Sequence, residues 1–312
     1  MIPAPGVPRS APNPAGVILF RKPVGLTSFQ ALGHIKRALG TKKVGHAGTL
    51  DRFASGLLVV LVGPYCRLAS YAEAGEKRYR GLIAFGAETT TLDPEGEVVA
   101  RGPLPDRSSL LAALERFRGV IVQRPPLFSA IHLDGKRAYE RALAGENPEM
   151  PARTVDIREL VLESYEGGMA RVHVRCSPGT YIRSLARDIA LECGSRAHLA
   201  ELERLGVGPY RLEDACDIES FDAARALSPI DAAAAENLGL VTLALAEADV
   251  ESFANGRELP LERLRPLSAA VFAEGIRAAV FDPSGELRGI VEGRPRGFAY
   301  KVVLPLRERA AP

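Results

Sequence analysis

The sequence predicts an α+β protein, a mixed and largely antiparallel sheet flanked by helices, with a small β-rich module at its C-terminal end. Three observations lead there. Strand and helix patterns alternate irregularly, without the strict rhythm of a doubly wound parallel sheet. Val155 to Tyr165 and Ala170 to Cys176 flank Gly167-Gly168 as a hairpin. From about Leu238 to Leu306 short strands recur, notably Ala278 to Asp282 and Arg288 to Val291 around Pro283-Ser284-Gly285. At 312 residues and 46% hydrophobic content, the chain can bury one large core with a smaller unit attached.

Met1 to Pro14 carries five prolines and little apolar content, and is expected to be a disordered leader. Gly16 to Phe20 reads as the first strand. Thr27 or Ser28 caps a helix whose apolar positions are Phe29, Leu32, Ile35 and Leu39, and Gly40 closes it. Leu57 to Val62 is a buried-strand run, Leu68 to Ala74 a short helix, and Tyr79 to Phe85 a strand ending before the turn Asp93-Pro94-Glu95-Gly96. Ser108 to Arg118 is a second capped helix, with Leu110, Leu111, Leu114 and Phe117 on one side. Arg124 to Met150, bounded by prolines and glycine, reads as an exposed arm. Ser177-Pro178-Gly179 then delivers Tyr181 and Arg183 to the start of a helix. The domain boundaries expected are 1–14 for the leader, 15–237 for the main domain with its arm at about 124–150, and 238–312 for the small module.

Composition narrows the function. The longest apolar runs fall short of the roughly 20 residues of a membrane-spanning helix, and no secretion signal is visible, so a cytoplasmic protein with no membrane partner is expected. Cys66, Cys176, Cys193 and Cys216 lack metal-ligand spacing, so neither a metal nor a disulfide framework is implied. No phosphate loop, dinucleotide fingerprint or nucleophile elbow is present, which removes nucleotide cofactors and acyl transfer. The net charge of +2 is small, but Lys42-Lys43, Lys77-Arg78-Tyr79-Arg80 and the stretch Gly135 to Arg141 place cations together, the last two beside aromatic rings. That combination suits phosphate contact with base stacking, although each cluster alone is equally a solvated face.

One carboxylate stands out. Asp51 lies within Gly45-His46-Ala47-Gly48-Thr49-Leu50-Asp51-Arg52-Phe53-Ala54-Ser55-Gly56, framed by small residues and followed by the apolar strand. An aspartate in such a loop ordinarily caps a turn. Its neighbours argue otherwise. Lys22 to Ser28, Val44 to Gly56, Lys77 to Gly81, Gln123 to Tyr139 and Ser177 to Asp188 occur in the order of matching blocks in the bacterial tRNA pseudouridine synthases of the TruB type, which the chain resembles over residues 17 to 212.

That resemblance implies the pseudouridine synthase fold, a PUA-like C-terminal module, and isomerisation of uridine 55 in the tRNA T loop without a metal or organic cofactor. It implies that Asp51 is catalytic, by attack on the sugar or by proton abstraction, and that Arg183 keeps its carboxylate charged. Tyr79 matches the tyrosine that stacks on the flipped uracil, and Tyr181 a second pocket tyrosine. His46 matches the residue filling the vacated stack, and Leu205 an apolar pocket wall. Asp93 matches a position near the RNA, although its turn needs no other explanation. The expected partner is the T-arm of tRNA rather than DNA, and a monomer is expected. Two departures are visible: Arg52-Phe53-Ala54 stands where the family commonly has Pro-Leu-Ala, and His132 where the arm usually carries lysine or arginine. From another functional class, a tRNA folding factor with catalysis secondary is the competing expectation.

Overall fold

The computed structural model of the protein describes residues 14–306 apart from Ala130, Asp134 and Asn147; the expected leader, Pro14 excepted, lies outside the described residues. The chain runs β1 (Gly16–Lys22), α1 (Ser28–Leu39), β2 (Val44–His46), β3 (Ser55–Val62), α2 (Ala69–Glu73), β4 (Lys77–Phe85), β5 (Ala87–Thr89), β6 (Val98–Arg101) and α3 (Arg107–Arg116). It continues with β7 (Gly119–Gln123), β8 (His132–Leu133), β9 (Lys136–Arg137), α4 (Ala138–Leu143), β10 (Arg153–Glu166), β11 (Met169–Cys176), α5 (Ile182–Glu192), β12 (Ala197–Val207) and β13 (Tyr210–Arg211). After α6 (Ala223–Ala226) and α7 (Ala232–Asn237) come β14 (Val241–Leu245), α8 (Val250–Ala254), β15 (Leu264–Pro266), β16 (Arg277–Phe281), β17 (Leu287–Gly293) and β18 (Phe298–Val303).

The main sheet has the order β1-β3-β12-β4-β11-β10-β7, with β2 beside β3 and β13 beside β12. All of its pairings are antiparallel except β3 with β12, where only Ser55 and Gly56 meet Glu203 and Arg204. That short parallel seam joins two half-sheets. Leu57 to Val62 of β3 read Leu-Leu-Val-Val-Leu-Val, each residue at 0% exposure, because both faces are covered there. Leu58, Val60 and Val62 pack with Ala31, Leu32, Ile35 and Leu39 of α1, while Leu57, Val59 and Leu61 face the other way. Each such side chain contributes about 1.5–3 kcal/mol over remaining exposed.

α1 starts and stops by local chemistry. Thr27 and Gln30 form a reciprocal capping box, and Gly40 turns left-handed with φ 64°. Its buried stripe is Ser28, Ala31, Leu32, Ile35 and Leu39, which leaves the expected core residue Phe29 some 100° away and 74% exposed under Lys36. α3 departs in the same way: Leu110, Ala113 and Leu114 are buried, Leu111 is exposed. The second half-sheet buries its face against α3 and α5, in one core that also takes in Leu50, Phe53 and Tyr79.

The stretch expected to be an exposed arm contains a small hairpin followed by α4; its tip residues Gly135 and Lys136 are exposed, whereas Pro125, Pro126, Ser129, Ala138 and Met150 are buried. Lys77-Arg78-Tyr79-Arg80 is no open basic patch: Lys77 and Tyr79 point inward along β4, and the Lys77 ammonium donates to the Glu73 and Gly75 carbonyls. C-terminally, β15-β14-β16-β17-β18 form a separate sheet. It is not loosely hung. Phe281, Leu287, Ile290 and Val302 share a core with Val17, Leu57, Tyr65 and Leu68 of the main domain.

The parallel seam depends on Gly56, whose φ is 107° and where a Cβ would stand 2.4 Å from the Arg204 carbonyl oxygen. Gly56→Ala is expected to destabilise the fold by more than about 2 kcal/mol, through strain and contact together. Gly194→Ala, with φ 65° and open space around it, should cost about 1 kcal/mol. Urea midpoints read the comparison, and equal losses at the two glycines would rule out close approach at the seam.

Candidate active site

Leu50, Phe53 and Ala54 anchor the Asp51 loop in the core, and polar side chains from three elements fix its backbone. Ser28 at the start of α1 accepts from the Leu50 N–H at 2.9 Å and donates to the Leu50 carbonyl at 3.0 Å. Lys22 at the end of β1 is fully buried and donates to the carbonyls of Pro23, Leu26 and Ala54 at 3.0, 2.7 and 2.5 Å. Arg204 from β12, also buried, donates to Leu57, Gly48 and Thr49 carbonyls at 2.8, 3.1 and 3.4 Å. Backbone oxygens satisfy all three.

Arg183 arrives from the opposite side, in the first turn of α5. Tyr181 caps that helix without a side-chain bond, and its backbone is instead clamped by the buried Gln123 amide, which accepts from Tyr181 N–H at 2.8 Å and donates to its carbonyl at 3.1 Å. The Arg183 side chain, 5% exposed, sits between two carboxylates. Its Nη2 donates to Asp51 Oδ1 at 3.2 Å and to the Phe128 carbonyl at 3.0 Å, with Nε 2.9 Å from Asp51 Oδ2. Nη1 donates to the Thr91 carbonyl at 2.8 Å and to Asp93 Oδ2 at 3.3 Å.

Asp93 belongs to this cluster because the chain bends to bring it in. Leu92 has φ 61°, the one non-glycine left-handed residue among the described residues, and Asp93 is 4% exposed. Such a backbone costs of order 1 kcal/mol or more and persists only where its surroundings enforce it. Here the Leu92 carbonyl accepts from Leu199 N–H, Thr89 Oγ1 donates to the Asp93 carbonyl, and Asp93 Oδ1 accepts from Glu95 N–H.

The electrostatics follow from burial and these charges. Burial pushes the Asp51 carboxyl up, the Arg183 guanidinium pulls it down, and the Asp93 carboxylate pushes it up again. Burial brings Lys22 down to about 8, with Asp51 opposing, and takes the Tyr79 phenol up to about 12. His46 is lowered by burial and then by the Arg204 charge, which favours a neutral ring.

The expected site residues do not all meet. Asp51 and Arg183 are in direct contact. Tyr79 is buried in the core that includes Leu50 and Phe53, opposite Arg204 in the β4–β12 pairing. Tyr181 is half-buried, its ring 5.6 Å from the Arg153 guanidinium. His46 lies on β2 opposite Val60, and its Nδ1 has no partner among the described residues. Leu205 is half-buried against the other core, with Ala47, Leu57 and Val207, and not in the one containing Tyr79. Lys22, Gln123 and Arg204 were not singled out as site residues; buried cations and an amide at inward positions of otherwise apolar strands were the available signal. A cavity of about 410 Å³ lined by Val17, Leu19, Tyr210 and Cys216 involves none of these groups. Among the described residues no three His, Cys, Asp or Glu side chains are grouped to hold a metal ion.

Known proteins resemble this chain in sequence and in fold. The model of the TruB family pseudouridylate synthase N-terminal domain matches residues 36–182. A tRNA pseudouridine synthase B of Burkholderia lata is 41% identical over 285 residues, covering 89% of this chain and 86% of that protein. Its counterpart in Treponema denticola is 43% identical over 231 residues, 67% of this chain, and the match spans 65% of that protein's length. A chain of the crystal structure of a Cbf5-Nop10-Gar1 complex superposes with a TM-score of 0.71 at 25% identity, covering 93% of this chain and 85% of that one.

The like charge on Asp93 has a measurable sign. A carbon-detected NMR titration of the Asp51 carboxyl is expected to give a midpoint above the ordinary aspartate value of about 3.9. Asp93→Asn should move that midpoint to lower pH, because the carboxylate opposing Asp51 ionisation is gone. An upward move would mean that Asp93 acts only by holding Arg183 in place.

Proposed function

The chain belongs to the TruB family of pseudouridylate synthases and is an isomerase acting on tRNA, and we propose that its target is uridine 55 of the T loop, with Asp51 as the catalytic residue. The observation that carries the reading is the Asp51 carboxylate, a third exposed at its side chain, held by a buried guanidinium that is itself anchored by two carbonyls and a second acid. Isomerisation breaks the bond from ribose C1′ to N1, rotates the uracil and rejoins C1′ to C5, releasing the C5 proton to solvent. Asp51 assists either by attack at the sugar or by removing a proton from it. Arg183 keeps the carboxylate available by opposing the effect of burial.

Reaching the glycosidic bond requires the nucleotide to leave its stack, at a few kcal/mol, and stacking on an aromatic ring returns about 1–3 kcal/mol. Tyr79 is assigned to that contact as a neutral phenol, Tyr181 and Leu205 to the pocket wall, and His46 to the vacated stack. The arm at 124–150 and the C-terminal sheet, a PUA-like module, are assigned to the T-arm backbone, and the working unit is a monomer in the cytoplasm. No helix among the described residues is long and apolar enough to cross a membrane.

A basic track supports an RNA partner. Arg21 to Leu50 contains six Lys and Arg residues and no acid. Lys36 lies over Phe29 and Arg37 meets His34, and among the described residues no carboxylate pairs with Lys36, Arg37, Lys42 or Lys43. Most surface arginines elsewhere are paired, as with Arg80–Glu163, Arg116–Glu192 and Arg158–Glu76. Cations left without acids are available to phosphates.

Asp51→Asn is expected to stop tritium release from 5-labelled uridine in a T-arm stem-loop, by at least about 10³-fold, while RNA binding changes little. The assay uses the purified chain with no guide RNA or protein added. Release surviving the substitution would remove Asp51 from the chemistry. No release by the unaltered protein, with binding intact, would leave the folding-factor reading in its place.

A further inference from the structure

Outside the buried chain Asp51–Arg183–Asp93, a second link of reversed polarity joins the same two loops. Arg52, adjacent to Asp51, has a side chain 61% exposed, and Glu95, two residues beyond Asp93, is 43% exposed. Arg52 Nη1 stands 3.7 Å from Glu95 Oε1, beyond hydrogen-bond length. The guanidinium is nevertheless not adrift. Its Nε donates to the Gly25 carbonyl at 3.1 Å, and the Gly25 N–H donates to the Arg52 carbonyl at 2.9 Å. Residue 25 itself belongs to the loop that Lys22 ties to Ala54. One edge of the Arg52 fork is therefore fixed to the protein, and the other is turned to solvent in a loose ion pair.

We propose that Arg52 binds a phosphate of the target nucleotide, and that Glu95 is the partner it leaves when RNA arrives. The inference rests on the reading that Asp51 receives an everted ribonucleotide. A nucleotide whose C1′ meets residue 51 carries its own phosphodiester past residue 52, since the two are linked through one sugar. A planar guanidinium fits two phosphate oxygens, whereas an exposed pair at 3.7 Å contributes little and is screened by salt. Exchange of one anion for the other is therefore favourable, and it releases the turn of Asp93 and Glu95 from its outer tie while the Asp93 to Arg183 contact stays closed.

A purely structural staple predicts something different. If Arg52 and Glu95 only hold the loops together, removing either one acts in the same direction. As phosphate ligand and competitor, they act in opposite directions. Equilibrium binding of a T-arm stem-loop to the full chain, across a series of KCl concentrations, tests the sign. Arg52→Ala should weaken binding roughly threefold or more and flatten the slope of log affinity against log salt by about 0.7–0.9, one phosphate contact. Glu95→Gln should strengthen binding. An unchanged salt slope in Arg52→Ala, or weaker binding in Glu95→Gln, overturns the proposal. Thermal melts confirm that each variant is folded, and the opposite-sign variant keeps the test decisive if Arg52→Ala is unstable. Tritium release by the unaltered protein on the same RNA is scored separately, so failure of the assigned reaction is distinguishable from failure of the phosphate contact.

Discussion

One buried guanidinium organises the candidate site. Arg183 is almost wholly removed from water, and a charge in that position requires partners on every side. It takes Asp51 and Asp93 as counter-charges and the Thr91 and Phe128 carbonyls as further acceptors. Much of the surrounding architecture follows from that demand. The left-handed Leu92 bends Asp93 inward, Gln123 fixes the helix start from which Arg183 projects, and Phe128 brings the root of the arm against the site. Removing Arg183 would leave its two carboxylates without a counter-charge, at about 3–5 kcal/mol.

Around this centre the protein uses cations of another kind. Lys22, Lys77 and Arg204 are buried and donate to backbone oxygens, and among the described residues none pairs with a carboxylate. Each fastens the backbone of a loop or turn: the glycine-containing loops at 23–26 and 48–57, and the turn before β4. Their charges also tune the neighbourhood. Burial first, and the Arg204 charge in addition, lower Lys22, Lys77 and His46, which favours a neutral histidine ring, while the Lys22 ammonium stabilises the Asp51 carboxylate.

The elements most legible in the sequence were those whose local chemistry and tertiary role agree. The capped α1, the apolar β3, the Gly167-Gly168 hairpin and the β-rich C-terminal stretch appear close to their expected bounds. Phe29 and Leu111 were misread because hydrophobicity was taken for orientation, and the helix phase puts smaller residues, Ala31 and Ala113, on the buried side. β12 escaped assignment altogether. It is a central strand carrying His198, Glu201, Glu203 and Arg204, and its alternation is obscured by charged side chains and by register shifts against β4. The Asp51 to Arg183 contact came only through family resemblance, since no spacing rule reaches across 132 residues. Arg204 carried no motif: its purpose is set by the loop it grips, 147 residues earlier in the chain.

The seam between β3 and β12 has a temporal consequence. A ribosome delivers the Asp51 loop early, but the strand that closes against Gly56 and the arginine that grips Gly48 appear only some 150 residues later. Until then the nascent polypeptide holds the Asp51 loop by Lys22 and Ser28, without Arg204, and contacts of such long separation form late in folding. Incomplete translation products ending before β12 therefore lack both the strand that closes the seam and the guanidinium that grips the Gly48 and Thr49 carbonyls.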